Sequence, residues 1–209
     1  QNSPFAGAGA AVKRGSFLVL EGIDGSGKST QLQRLAAALE AAGHAVLATR
    51  EPSDGAIGRR IREMARSGET LPPQQELEWF MEDRAEHVRE IIQPALAAGR
   101  TVLCDRYYLS TVAYQGARGL DWEAILAESE ARFPRPDLAL ILEIDAASGL
   151  ARTRLRGGAA DPAFENLEFL ERVAAIFAAL DRPWIVRIDG SRNPDSVATA
   201  IASALKKTK

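Results

Sequence analysis

The sequence predicts an α/β fold, a doubly wound parallel sheet of five strands flanked by helices, and three observations carry that prediction. Five short apolar runs, beginning at Phe17, Ala45, Thr101, Leu138 and Trp184, have the length and composition of buried strands. They alternate with stretches at helical spacing, the arrangement that yields parallel strands. The first run passes straight into Gly22-Ile23-Asp24-Gly25-Ser26-Gly27-Lys28-Ser29, a fit to G-x-x-x-x-G-K-[ST] between strand and helix.

Phosphate binding is the physical reason for that layout. Glycines let the backbone fold into a nest, so that successive N–H groups and a helix N-terminus face one anion. Lys28 would place a point charge on the outer phosphates of a nucleotide, and the Ser29 hydroxyl would be a Mg²⁺ ligand. Gly22 to Thr30 therefore forms a candidate nucleotide-phosphate site. A first helix follows, with Leu32, Leu35, Ala36 and Leu39 on one face and Gly43 as its stop. His44 falls in the turn, where a solvated histidine needs no role.

The second strand, Ala45–Thr49, ends at Arg50-Glu51-Pro52. Ligands of open parallel sheets bind at the strands' C-terminal edge, which gives Arg50 a functional reading beside the plainer one of a surface arginine. Ser53-Asp54-Gly55 reads as a turn. The next short helix bears Arg59, Arg60, Arg62 and Arg66, whose simplest account is a solvated face.

A long helical stretch spans roughly Gln74 to Ala98, and Pro94 kinks or resets it. Phe80 and Arg84 lie one turn apart on it, where a ring and a guanidinium could stack a base and hold its phosphate. From spacing alone, a core Phe beside a surface Arg is the simpler account.

The third strand, Thr101–Cys104, delivers Asp105-Arg106 to the sheet edge, the usual place for an acid that helps hold Mg²⁺. Cys104 reads as a small buried hydrophobe. Tyr107 to Gln115 then brings hydroxyl and amide groups close behind the acid. The fourth strand, Leu138–Ile144, precedes a helix of about Ala147–Arg156. On it Arg152 and Arg156 share a face and Arg154 points away. Residues 157–163 have the composition of a short lid. A helix from Leu167 to Leu180, a strand at Trp184–Ile188 and a terminal helix complete the chain.

With 209 residues and a formal net charge of −2, the chain suits one α/β domain, residues 16–209, without the basic character of a duplex-binding protein. No apolar run reaches membrane-spanning length. The single cysteine excludes an intramolecular disulfide framework and suits a reducing compartment. Residues 1–15, rich in Ala and Gly, are expected to form a mobile tail.

From Phe17 to Leu205 the chain resembles the thymidylate kinases, P-loop nucleoside-monophosphate kinases that use ATP as donor. The resemblance rests on FLVLEGIDGSGKST, TREP (Thr49 to Pro52), Phe80 with Arg84, Ala85 and His87, and DRYYLSTVAYQG (Asp105 to Gly116). RPDLALILEID (Arg135 to Asp145) and RTRLRG (Arg152 to Gly157) extend it. It implies that Phe80 stacks on thymine and that Arg84, Arg50 and Arg106 hold the dTMP phosphate. Thr111, Tyr114 and Gln115 would surround base and sugar, Asp24 would contact the acceptor sugar, and Asp105 would orient Mg²⁺. A cytoplasmic homodimer is also implied.

The chain departs from many of these kinases in three places. Ser53-Asp54-Gly55 replaces a Gly-Gly-Thr after REP, Ala159-Ala160-Asp161-Pro162 replaces a lid Asp-Arg, and Gly25 stands where some have Arg. Arg152 and Arg156 are then the candidates to neutralise the transferring phosphoryl, with Lys28, Asp24 and Arg106 completing the expected catalytic set. The alternatives are a kinase for another pyrimidine monophosphate such as dUMP, a P-loop switch protein, or a non-catalytic nucleotide-binding relative. No Asn-Lys-x-Asp guanine signature favours the switch protein.

Overall fold

The computed structural model describes residues 14–155 and 166–207. Its strands β1 (Phe17–Glu21), β2 (Val46–Arg50), β3 (Thr101–Asp105), β4 (Leu138–Glu143) and β5 (Ile185–Asp189) form one sheet in the order β2-β3-β1-β4-β5. Every pairing is parallel. The helices are α1 (Lys28–Ala41), α2 (Ala56–Ser67), α3 (Pro73–His87), α4 (Gln93–Ala97), α5 (Tyr108–Ala117), α6 (Trp122–Arg132), α7 (Ala146–Leu155), α8 (Leu167–Ala179) and α9 (Pro194–Lys207).

The central strands are apolar along their length because both faces are covered. Phe17, Val19, Val102, Cys104, Ala139 and Ile141 join one buried cluster with residues of α3, α5 and α8. Leu18, Leu20, Leu103, Leu138, Leu140 and Leu142 join the other, packed by Leu32 and Leu35 of α1 and Val197 and Ile201 of α9. From β1 the chain crosses outward to β2, and from β3 it crosses over β1 to β4. The order thus reverses between β1 and β3, and a crevice opens at their C-terminal ends. The register aligns Leu20 and Arg50 with Asp105 at that edge.

Pro94 does reset the long helix. It has no N–H to give the preceding turn, and the chain widens into a π-helical turn, Val88–Ile92, closed by Gln93 N–H donating to the Val88 carbonyl. Two expectations need correction. Arg14 and Gly15, assigned to the tail, are already tied down: Arg14 Nη1 lies 3.1 Å from both Asp137 carboxylate oxygens, and Gly15 N donates to Leu96 O at 2.8 Å. Helix α6 has no counterpart in the sequence reading. Its apolar face is Trp122, Ile125 and Leu126 with the buried Ser129, and Asp121 Oδ1 caps it by accepting from the amides of Glu123 and Ala124. The rest of the tail, Arg156 and the lid lie outside the described residues. Among the described residues no helix is long and apolar enough to cross a membrane.

Candidate active site

The P-loop leaves β1 through Gly22, whose φ is 134° and where a Cβ would stand 2.5 Å from the Leu142 carbonyl oxygen, so no side chain fits. Gly25 is constrained more tightly. At φ 81° a Cβ would stand 2.2 Å from Gly149 O of α7, while a Cβ on Gly149 would meet Asp24 O at 2.6 Å. Loop and helix therefore touch backbone to backbone, and no arginine fits at position 25 in this arrangement. Helix α1 starts at Lys28 with neither a capping side chain nor an acid in its first turn, so its leading amides are available to an anion.

Lys28 is buried, and its ammonium donates to the carbonyls of Gly22 at 3.1 Å and Ile23 at 2.9 Å. Burial, then the charge of Arg106, pushes its pKa down to about 8, against the pull of Asp24, Asp105 and Glu21. Ser26 is buried beside it, its Oγ 3.5 Å from the ammonium. Ser29 donates to Asp105 Oδ2 at 2.6 Å, so the loop hydroxyl and the β3 acid share one place. Thr30 is exposed on α1.

Arg106 follows Asp105 in the left-handed region, φ 69°, which turns its guanidinium back over the loop. It donates to Gly22 O at 3.1 Å, Ser110 Oγ at 2.9 Å and Asp24 Oδ1 at 2.6 Å, while Tyr114 donates its hydroxyl to Asp24 Oδ2 at 2.8 Å. Burial would raise the Asp24 pKa, but the charges of Arg106 and Lys28 with these hydrogen bonds hold it well below the usual carboxylate range. Asp24 is thus ionised and committed to positioning Arg106 and Tyr114.

Two cavities adjoin here. One, about 370 Å³, is walled by Gly25, Gly27, Lys28, Ser29, Arg50 and Asp105. The other, about 340 Å³, is walled by Phe80, Arg84, Thr111, Tyr114 and Gln115 with apolar side chains such as Met64 and Leu170. Asp24, Glu51, Pro52, Arg62, Arg106 and Thr153 border both. Of the residues expected to bind ATP, Asp24, Gly25, Gly27, Lys28 and Ser29 line the first cavity; of those expected to bind dTMP, Phe80, Arg84, Arg106, Thr111, Tyr114 and Gln115 line the second, while Arg50 lines only the first.

Several placements differ from expectation. Phe80 is half-buried on the cavity wall, and Arg84 is the buried member of the pair, 1% exposed. Glu51 explains the inversion: Arg84 Nε reaches its Oε2 at 2.8 Å, Arg84 Nη2 donates to Thr111 Oγ1 at 2.8 Å, and His87 Nδ1 lies 3.0 Å from Glu51 Oε1. Arg84 borders only the second cavity. Arg62 leaves the solvated face assigned to it and donates to the carbonyls of Pro52 and Ser53. Arg152 donates to the carbonyls of Gly25, Gly190 and Ser191 and borders neither cavity; its neighbour Thr153 borders both. Arg154 is exposed, as helical spacing predicts. Cys104 is fully buried and its thiol is pushed well up by burial, as a packing residue should be. TREP contains Glu51, but nothing in the sequence pairs it with Arg84, and for Arg62 and Thr153 the sequence held no signal.

Comparison with known proteins agrees with this geometry. The family model described as thymidylate kinase matches residues 20–201. A thymidylate kinase of Desulfotalea psychrophila is 43% identical over 92% of this chain and 95% of its own length. Those of Xanthomonas campestris pv. campestris and Xanthomonas euvesicatoria pv. vesicatoria are 47% and 46% identical over 88% of this chain, and over 79% and 80% of their own. The matched span holds the P-loop, both cavities and the Arg106 cluster together, and on that ground the chain belongs to the thymidylate kinase family.

Proposed function

We propose that this chain transfers the γ-phosphoryl group of ATP to dTMP with the assistance of Mg²⁺, giving dTDP and ADP. The observation that carries the proposal is the shared wall of the two cavities. An anion on the P-loop and a nucleoside in the second cavity would meet at Arg106 and Arg62.

The second cavity suits a thymine. Phe80 offers a ring face for stacking. Arg84 brings N–H donors, fixed by Glu51 and Thr111, and Gln115 Oε1 is a buried acceptor with no partner among the described residues. Thymine presents an N–H donor flanked by carbonyl acceptors, which pairs with both, whereas cytosine's ring nitrogen and amino group would set acceptor against acceptor and donor against donor. Arg84 is accordingly assigned to the base, and Arg50, Arg62 and Arg106 to the phosphate.

The acceptor phosphate, with a second pKa of about 6, is largely a dianion at neutral pH and needs no general base. Its oxygen attacks the γ-phosphorus, the bond to the β-bridging oxygen breaks, and ADP leaves with that electron pair. The protein's work is to hold two polyanions in line and neutralise them. Lys28 and the α1 amides serve the donor, while Arg106 serves the site of transfer. Ser29 Oγ and Asp105, hard oxygen donors 2.6 Å apart at the P-loop, fit a Mg²⁺ site. The ion would supply charge neutralisation on the donor phosphates when bound there.

The test is ADP formed per ATP with dTMP, dUMP, dCMP or no acceptor. Stoichiometric ADP with dTMP and little with dCMP supports the proposal; equal turnover without an acceptor refutes it. The family resemblance also supports a homodimer, checked by sedimentation, and the lone buried cysteine suits a cytoplasmic setting, checked by localising the tagged protein.

A further inference from the structure

The turn between β2 and α2 carries an acid that the chemistry above does not use. Asp54 is exposed, yet its Oδ1 holds two guanidinium groups, Arg50 Nη2 at 2.8 Å and Arg62 Nη2 at 3.0 Å. Its main-chain carbonyl accepts from Arg59 as well. Arg50 and Arg62 both border the P-loop cavity, and Arg62 borders the nucleoside cavity too, while Asp54 borders neither. The hydrogen bond from Arg50, helped by the charges of Arg50, Arg62 and Arg59, holds its carboxyl below the usual range against the opposing effect of burial. The carboxylate is ionised at neutral pH.

The turn does not need this carboxylate to hold its shape. Ser53 N and Oγ bond the buried Asp83 carboxylate at 2.8 and 2.5 Å, and Gly55 N donates to Ser53 Oγ at 3.0 Å. Gly58 of α2 packs so closely beneath Ser53 that a Cβ would lie 2.1 Å from its carbonyl.

We infer that Asp54 is an internal stand-in for the acceptor phosphate, competing for the guanidinium groups of Arg50 and Arg62 and so setting acceptor affinity and product release. The inference rests on the function proposed above. A phosphate dianion offers more charge and more acceptor oxygens than one carboxylate, so it wins the arginines when present. It must first break two exposed ion pairs, and that cost weakens its apparent affinity. After transfer, the same carboxylate recaptures the arginines as the product leaves.

The experiment compares wild type, Asp54→Asn and Asp54→Gly in steady-state kinetics with dTMP and Mg-ATP. Calorimetric binding of thymidine, which lacks the phosphate, completes it. Both variants should lower the KM for dTMP about two- to tenfold, the scale of two exposed ion pairs. Inhibition by dTDP should tighten alike, and the difference from wild type should shrink as salt is raised. The KM for ATP, thymidine affinity and melting temperature should not move. A dTMP KM that is unchanged or raised would show that Asp54 braces the arginines instead of competing for them, and would overturn the inference, as would thymidine affinity shifting as much as dTMP affinity. Wild type that fails to phosphorylate dTMP would overturn the function itself, and that result is seen before any variant is made.

Discussion

Glu21, the last residue of β1, is fully buried under the P-loop, accepting from Tyr107 N at 2.9 Å and from the Ser110 hydroxyl. Burial pushes its pKa up to about 7, only partly opposed by Ser110, Arg106, the Tyr107 amide and Lys28. A raised carboxyl pKa stabilises the fold below the unfolded value of 4.5, and that contribution is lost as pH climbs through about 7. Glu21→Gln keeps an acceptor but cannot ionise. Between pH 4.5 and 7, wild type should therefore lose about 2–4 kcal/mol relative to the variant, read from paired urea denaturation curves. Phe80 gives a second residue-scale expectation. Because its ring walls the nucleoside cavity and not the P-loop one, Phe80→Ala should weaken dTMP binding by about 1–3 kcal/mol and leave ATP affinity unchanged. Titration calorimetry with each nucleotide checks this, and equal losses for both would point to a damaged core.

At the scale of elements, the contact of α7 with the P-loop sets two opposing effects against each other at Gly149. Alanine in a helix interior is favoured over glycine by about 1 kcal/mol, so propensity alone makes Gly149→Ala stabilising. Its Cβ would stand 2.6 Å from the Asp24 carbonyl, and backbone cannot swing aside as a side chain can. Overpacking of this kind costs about 1–3 kcal/mol, so the variant should melt lower and show a raised KM for ATP. Arg152→Ala should act on the same contact. It removes donors from the Gly25, Gly190 and Ser191 carbonyls, raising the KM for ATP several-fold, while the exposed Arg154→Ala stays near wild type; steady-state kinetics on both decides. Strands β1, β3 and β4 were legible in the sequence because burial on both faces leaves an uninterrupted apolar run. Helix α6 was not, because Trp122, Ile125 and Leu126 all fall in its first turns and the buried position that continues the face is a serine, Ser129. The order of burial at Phe80 and Arg84 was also hidden. It depends on Glu51, 33 positions away along the chain, and only the packing of β2 against α3 brings that partner under the arginine.

For the molecule as a whole, the P-loop, legible in the sequence to the residue, fixes the first expectation. Lys28→Ala should cut turnover by about 10²-fold or more in single-turnover assays while the protein stays folded, since a charge aimed at the transferring group is lost. What no motif disclosed is that the two cavities share Asp24, Glu51, Pro52, Arg62, Arg106 and Thr153 as a common wall. The donor and the acceptor are then not independent tenants. Charge placed on one side of Arg106 alters the field felt on the other, so the two affinities are thermodynamically linked. Linkage is reciprocal: whatever factor ATP imposes on dTMP binding, dTMP must impose on ATP binding. That equality holds whichever substrate arrives first, and it makes this shared wall the conduit through which each nucleotide registers the presence of the other.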